Sequence, residues 1–169
     1  MSDRSRRAWG LAAALAVVVL ILDQIVKDIV SDHIVLGETV NVLGPLKLTL
    51  SHNEGVAFGL ANGGGIGLIV ITLIALGVVL WLFSRDPGRP GMWVATGLLA
   101  GGALGNLLDR IRHGHVTDFI KLPHWPPFNL ADCGITCGVV ILLWIYIREA
   151  ERAERAEEGG PAEHAKHES

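Results

Sequence analysis

The sequence predicts an all-α membrane protein of four transmembrane helices carrying a small β-sheet outside the lipid. Three observations predict it. Half of the 169 residues are apolar. They gather in four blocks, at about 8–27, 65–83, 92–108 and 130–147, each near the length that crosses a bilayer. The blocks are apolar all round, without the amphipathic period of a soluble core helix, so lipid is the expected neighbour.

The first block, "AWGLAAALAVVVLILDQIVK", has a basic start like a secretory signal, but no small-x-small cleavage site follows it, so a retained span is expected. The loop after it contains "PLKLTL", with Leu46, Leu48 and Leu50 alternating with Lys47, Thr49 and Ser51. That is the pattern of a half-buried strand, and Gly44–Pro45 before it marks a turn. Gly97, Gly101 and Gly105 are spaced by four, as are Gly134 and Gly138. Such small-residue ridges let helices approach closely in lipid, and they are expected to hold the third and fourth spans together. Residues 1–150 thus form one membrane domain, and 151–169 a charged tail that begins as a helix and is disordered past Gly159.

The net charge of −3 excludes little, but its layout orients the chain. Nine cations fall on the side of the termini: Arg4, Arg6, Arg7, Arg85, Arg89, Arg148, Arg152, Arg155 and Lys166. Five fall on the other: Lys27, Lys47, Arg110, Arg112 and Lys121. The positive-inside rule makes both termini cytoplasmic. Cys133 and Cys137 lie on one helix, four apart, a spacing that rarely suits a disulfide.

The unusual polar residues all fall at the outer boundary. Asp23 and Lys27 share a helix face at the end of the first span, as do Asn106, Asp109 and Arg110 at the end of the third. Asp132 opens the fourth span; Asn53 and Asp118 lie in the outer loops. Charge near lipid is costly, and such residues pair and mark function. Blander readings stand beside this one. Asp23 with Lys27 could be an ion pair closing a span, Asn53 and Asp118 turn residues, and Asn129 or Asp132 a helix N-cap. Two carboxyl groups held together cannot both ionise cheaply: one keeps a proton while the other takes one from water. That is general acid–base chemistry for peptide hydrolysis without a covalent intermediate. A metal site built on His113, His115, His124 and Asp118 is a weaker reading, as are a proton-coupled transporter and a scaffold held by glycine ridges. Ser51 has His52 beside it but no orienting acid, and no phosphate loop or dinucleotide fingerprint appears.

"DQIVK", "NEGVAFG", "GGALGNLLDR", "VTDFI" and "FNLAD" together resemble, in order and spacing, the bacterial lipoprotein signal peptidases (signal peptidase II), from Ala8 to about Arg148. The resemblance implies a polytopic aspartic peptidase of the inner membrane that cuts the signal peptide from diacylglyceryl-modified prolipoproteins, just before the lipidated cysteine. It implies Asp118 and Asp132 as the catalytic pair, and Asp23, Lys27, Asn53, Gly55, Asn106, Arg110 and Asn129 as supporting or substrate-binding residues. It adds a short surface helix to the four spans and the outer sheet, and an active site near the periplasmic face. Lipidated prolipoproteins and membrane lipid are the implied partners of a monomer, with neither cofactor, metal nor nucleic acid. Thr117 stands where the family commonly has an apolar residue.

Overall fold

A computed structural model of the chain describes residues 2–55 and 64–159. The elements run α1 (Asp3–His33), β1 (Thr39–Leu43), β2 (Leu46–Asn53), α2 (Gly64–Arg85), α3 (Met92–His113), β3 (Val116–Lys121) and α4 (Leu130–Gly159). Ser2 caps α1, its Oγ accepting the Ser5 N–H at 3.2 Å. Gly91 and Gly114 bracket α3 at φ 81° and 79°, a left-handed backbone that glycine adopts at little cost.

Among the described residues, three helices are long and apolar enough to cross a membrane: Asp3–His33, Ile66–Arg85 and Leu130–Ala156. Helix α3 is the exception, and its place in the fold explains why. It lies between α1 and α4 and also carries α2. Its neighbours are helices rather than lipid, so glycines and buried polar groups replace the large apolar side chains of the other three.

Of the two glycine ridges, that of α4 meets α3 as the sequence suggested and that of α3 does not. Gly97, Gly101 and Gly105 face α1: a Cβ at Gly97 would stand 2.9 Å from the Ala12 carbonyl oxygen, and one at Gly101 2.6 Å from that of Ala16. The third helix meets the fourth through Gly102, where a Cβ would lie 2.3 Å from the Ala131 carbonyl oxygen, and through Gly134 and Gly138. The spacing identifies a close-packing face but not the helix that fills it.

The sheet has order β1-β2-β3, antiparallel throughout. Gly44 (φ 54°) and Pro45 turn β1 into β2, glycine meeting the positive φ that a tight hairpin requires. Leu50 and Leu48 pack with Val30 of α1 and Phe119 of β3, which seats the sheet on the end of the bundle. Thr49 departs from the expected polar face: it is buried, and its Oγ1 donates to the Glu38 carbonyl at 2.7 Å. Residues 151–159 of the expected tail continue α4, and 160–169 lie outside the described residues. No short surface helix occurs among the described residues.

Candidate active site

Asp118 lies in a strand, not in a turn. Val116, Thr117, Asp118 and Phe119 of β3 are all buried, and Ser51 of β2 pairs with Asp118. Asn53, two residues along β2 from Ser51, is therefore a diagonal neighbour on the same sheet face, and its Nδ2 donates to Asp118 Oδ2 at 3.0 Å. The Asn53 Oδ1 accepts the Gly55 N–H at 3.0 Å. Gly55 has φ 77°, and a Cβ there would meet Leu68 Cδ1 at 2.2 Å, so that position is restricted to glycine. Residues 56–63, which complete "NEGVAFG", lie outside the described residues.

The chain returns from β3 to α4 along β3 itself. Phe128 O accepts the Phe119 and Ile120 N–H groups at 3.0 and 2.7 Å, and the Phe128 N–H donates back to the Ile120 carbonyl at 3.0 Å. This brings Asn129 beside Asp118 and starts α4 there. Asn129 and Asp132 form a reciprocal cap. The Asn129 Oδ1 accepts the Asp132 N–H at 2.9 Å, and Asp132 Oδ2 accepts the Asn129 N–H at 3.1 Å.

Asn129 thereby joins the two carboxylates. Its side-chain Nδ2 donates to Asp118 Oδ1 at 2.7 Å while its backbone N–H holds Asp132. Asn106 holds the other oxygen, its Nδ2 donating to Asp132 Oδ1 at 2.8 Å. The Asn106 Oδ1 in turn accepts from Asn129 Nδ2 at 3.1 Å and from Lys27 Nζ at 3.1 Å.

Beneath the pair lies a buried ion cluster. Lys27 Nζ bridges Asp23 Oδ2 at 2.7 Å and Asp109 Oδ2 at 2.9 Å, so with Asn106 all three ammonium protons have an acceptor. The free oxygen of Asp23 accepts the Ala131 N–H at 2.9 Å, and Asp109 Oδ2 accepts the Thr117 N–H at 3.1 Å. Ala131 and Thr117 are the residues immediately before Asp132 and Asp118. One lysine thus fixes the backbone leading into both carboxylates. Asp23 and Lys27 pair as their spacing suggested. Gln24, which its spacing does not single out, joins them: its Nε2 donates to Asp109 Oδ1 at 2.9 Å. Asp109 shares a face with Asn106 and Arg110, and that pattern was its only signal.

Arg110 stays at the rim. Its Nη1 reaches the Asn106 carbonyl at 3.4 Å, and it forms no carboxylate ion pair among the described residues. Three histidines gather where β2 ends and β3 begins: His52 stacks on His115 at 3.7 Å, and His113 lies 5.9 Å from His115. Burial, then the neighbouring His52 and His113, push the His115 imidazole below its ordinary range. Among the described residues, no three His, Cys, Asp or Glu side chains are placed to hold a metal ion.

The electrostatics set Asp118 apart. Burial lifts its carboxyl to about 6, the Asp132 charge adds to the rise, and the Asn53 and Asn129 donors oppose it. The arrangement offers two inward-facing carboxyl groups, each one hydrogen bond from Asn129, one of them with a strongly raised proton affinity.

Residues 15–148 match the family model of signal peptidase (SPase) II. The chain belongs to the signal peptidase II family. A lipoprotein signal peptidase of Moorella thermoacetica is 42% identical over 77% of this chain and 88% of its own length. One of Halothermothrix orenii is 36% identical over 82% of this chain and 95% of its own. A bacterial membrane enzyme solved by the in meso method at 2.3 Å superposes with TM-score 0.78 at 33% identity, covering 85% of this chain and 91% of that one. A second, at 1.9 Å, gives TM-score 0.75 at 35% identity over 79% of this chain and 90% of the other. As a signal peptidase II family member the chain is a membrane peptidase, and the family match covers every site residue described above.

Proposed function

We propose that the protein is an aspartic endopeptidase of the bacterial inner membrane. It removes signal peptides from diacylglyceryl-modified prolipoproteins, cutting before the lipidated cysteine. The observation that carries this reading is Asn129, which holds Asp118 and Asp132 through one residue. In this reading α3 is the fourth span. Both termini are cytoplasmic, and the carboxylates sit at the periplasmic boundary of a monomer. The substrate's signal helix enters from lipid, and its acyl chains stay in the bilayer.

Asp118, lifted to about 6, is the member that keeps the shared proton. Asp132, held by the N–H donors of Asn106 and Asn129, is the base. It takes a proton from water as the oxygen attacks the scissile carbonyl carbon, while Asp118 donates its proton to the carbonyl oxygen. In the resulting gem-diol, Asp132 passes its proton to the amide nitrogen. The C–N bond breaks as Asp118 recovers a proton from a gem-diol hydroxyl. Arg110 at the rim holds the substrate backbone.

The test is cleavage in lipid vesicles of a diacylglyceryl-modified precursor and of the same precursor unmodified, with and without EDTA. Selective cleavage of the lipidated precursor, undiminished by the chelator, is expected. Equal cleavage of both, or loss with EDTA, would reject the reading.

A further inference from the structure

The end of the bundle away from the aspartates carries two clefts that the peptidase chemistry does not use. One, of about 670 Å³, lies between the start of α1, the α2–α3 turn and α4, with Arg4, Arg85 and Arg89 on its walls. The other, of about 570 Å³, holds Arg89, Trp144, Arg148 and Arg152. They meet at Arg89, whose guanidinium is neutralised. Its Nη1 and Nη2 each lie 2.7 Å from a Glu149 oxygen, and Asp86 is 3.6 Å from Nε. The two acids on the cleft walls are therefore both committed to Arg89. Arg4, Arg85, Arg148 and Arg152 are exposed and make no ion pair among the described residues.

Two of these arginines are built in the same way. Arg85 lies over the ring of Trp81 at 4.7 Å, and Arg148 over that of Trp144 at 5.3 Å. Each pair is a Trp and an Arg four residues apart where an apolar stretch gives way to charge, at the end of α2 and part-way along α4, and both indoles are more than half exposed on the outside of the bundle. Tryptophan so placed sits at headgroup depth. Stacking fixes the guanidinium plane and leaves its N–H edges open to a planar or tetrahedral oxyanion. Basic clefts between membrane helices at this depth suit anionic lipid headgroups.

We propose that the two clefts bind the phosphate of an anionic phospholipid from the adjoining leaflet, with Arg85 and Arg148 as its principal ligands. Arg4 supplies the second cation of the first cleft and Arg152 that of the second. The lipid tails then lie against the exposed faces of Trp81 and Trp144, which ties this end of α2 to α4 across the short turn.

The test is native mass spectrometry of the full chain released from phosphatidylcholine vesicles containing phosphatidylglycerol. Lipid adducts should form on the wild type with phosphatidylglycerol in preference to phosphatidylcholine. Arg85→Gln and Arg148→Gln should each weaken them about fivefold, the weight of one arginine near a charged surface. Lys47→Gln/Lys121→Gln, which loses two charges at the other end, should leave them unchanged. Thermal unfolding of each variant in neutral detergent confirms that it is folded, and the single variants serve if the double Arg85→Gln/Arg148→Gln is not. Equal adducts in the arginine variants, equal loss in the lysine variants, no preference for the anionic lipid, or displacement of the lipid by millimolar inorganic phosphate would overturn the proposal.

Discussion

Asn53→Ala removes one of the two side-chain donors that keep the Asp118 carboxyl from rising further. A hydrogen bond to a charged group contributes about 1.5–3 kcal/mol, and Asn53 is exposed at the end of β2, where water takes over part of it. The lower figure is therefore the appropriate one. At 1.36 kcal/mol per pKa unit, about 1.5 kcal/mol moves the Asp118 carboxyl by about one unit. The sign follows from the donor: losing an N–H that favours the carboxylate favours the acid, so the value rises from about 6 to about 7. The assay is the pH dependence of kcat/KM for cleavage of a lipidated precursor in vesicles. The limb that reports the pair should move to higher pH by about one unit. The variant also loses the Gly55 anchor, which lowers kcat at every pH without moving the limb. A limb that stays in place, or moves to lower pH, would refute the assignment of Asp118 as the proton-holding carboxyl.

Two further variants probe the frame beneath the pair. Lys27→Met leaves Asp23 and Asp109 buried without their cation, a loss of about 3–5 kcal/mol in the folded state. A fall in thermal unfolding temperature checks it, and an unchanged temperature would show that the cluster is not structural. Gly101→Val drives a side chain into the Ala16 carbonyl and Val19, and a cost of at least about 1–3 kcal/mol is expected from parting α1 and α3. The matching substitution at Gly10, which has open space around it, should leave unfolding unchanged.

How much of this was legible beforehand depended on whether one face of an element meets solvent. The β1–β2 hairpin was readable because Leu46, Leu48 and Leu50 alternate with the polar Lys47, Thr49 and Ser51 and Gly44–Pro45 closes the turn. The strand β3 was not, because Val116, Thr117, Asp118 and Phe119 are all buried. With both faces covered, the period of two disappears. Asp23 with Lys27, and Asn106 with Asp109 and Arg110, announced themselves through helical spacing. Spacing could not reveal that Lys27 joins both acids, since that requires α1 and α3 side by side. The same limit sent the Gly97–Gly101–Gly105 ridge to the wrong partner. Motif resemblance brought Asp118 and Asp132 into one proposal. What the sequence could not supply is the route: the Phe128 bonds to β3 that carry Asn129 back across the intervening prolines.

The central claim is that two carboxyl groups act as one unit, and a cycle of Asp118→Asn, Asp132→Asn and the double variant tests it most directly. All three keep the size of the side chain, and thermal unfolding of each variant checks that it is folded. In single-turnover cleavage of a lipidated precursor, each single variant should lose at least about 10²–10⁴-fold, the range of general acid–base catalysis. The double variant should be no slower than the worse single one, as partners in one step behave. Cleavage at the wild-type rate by either single variant, or losses that multiply in the double, would contradict the account.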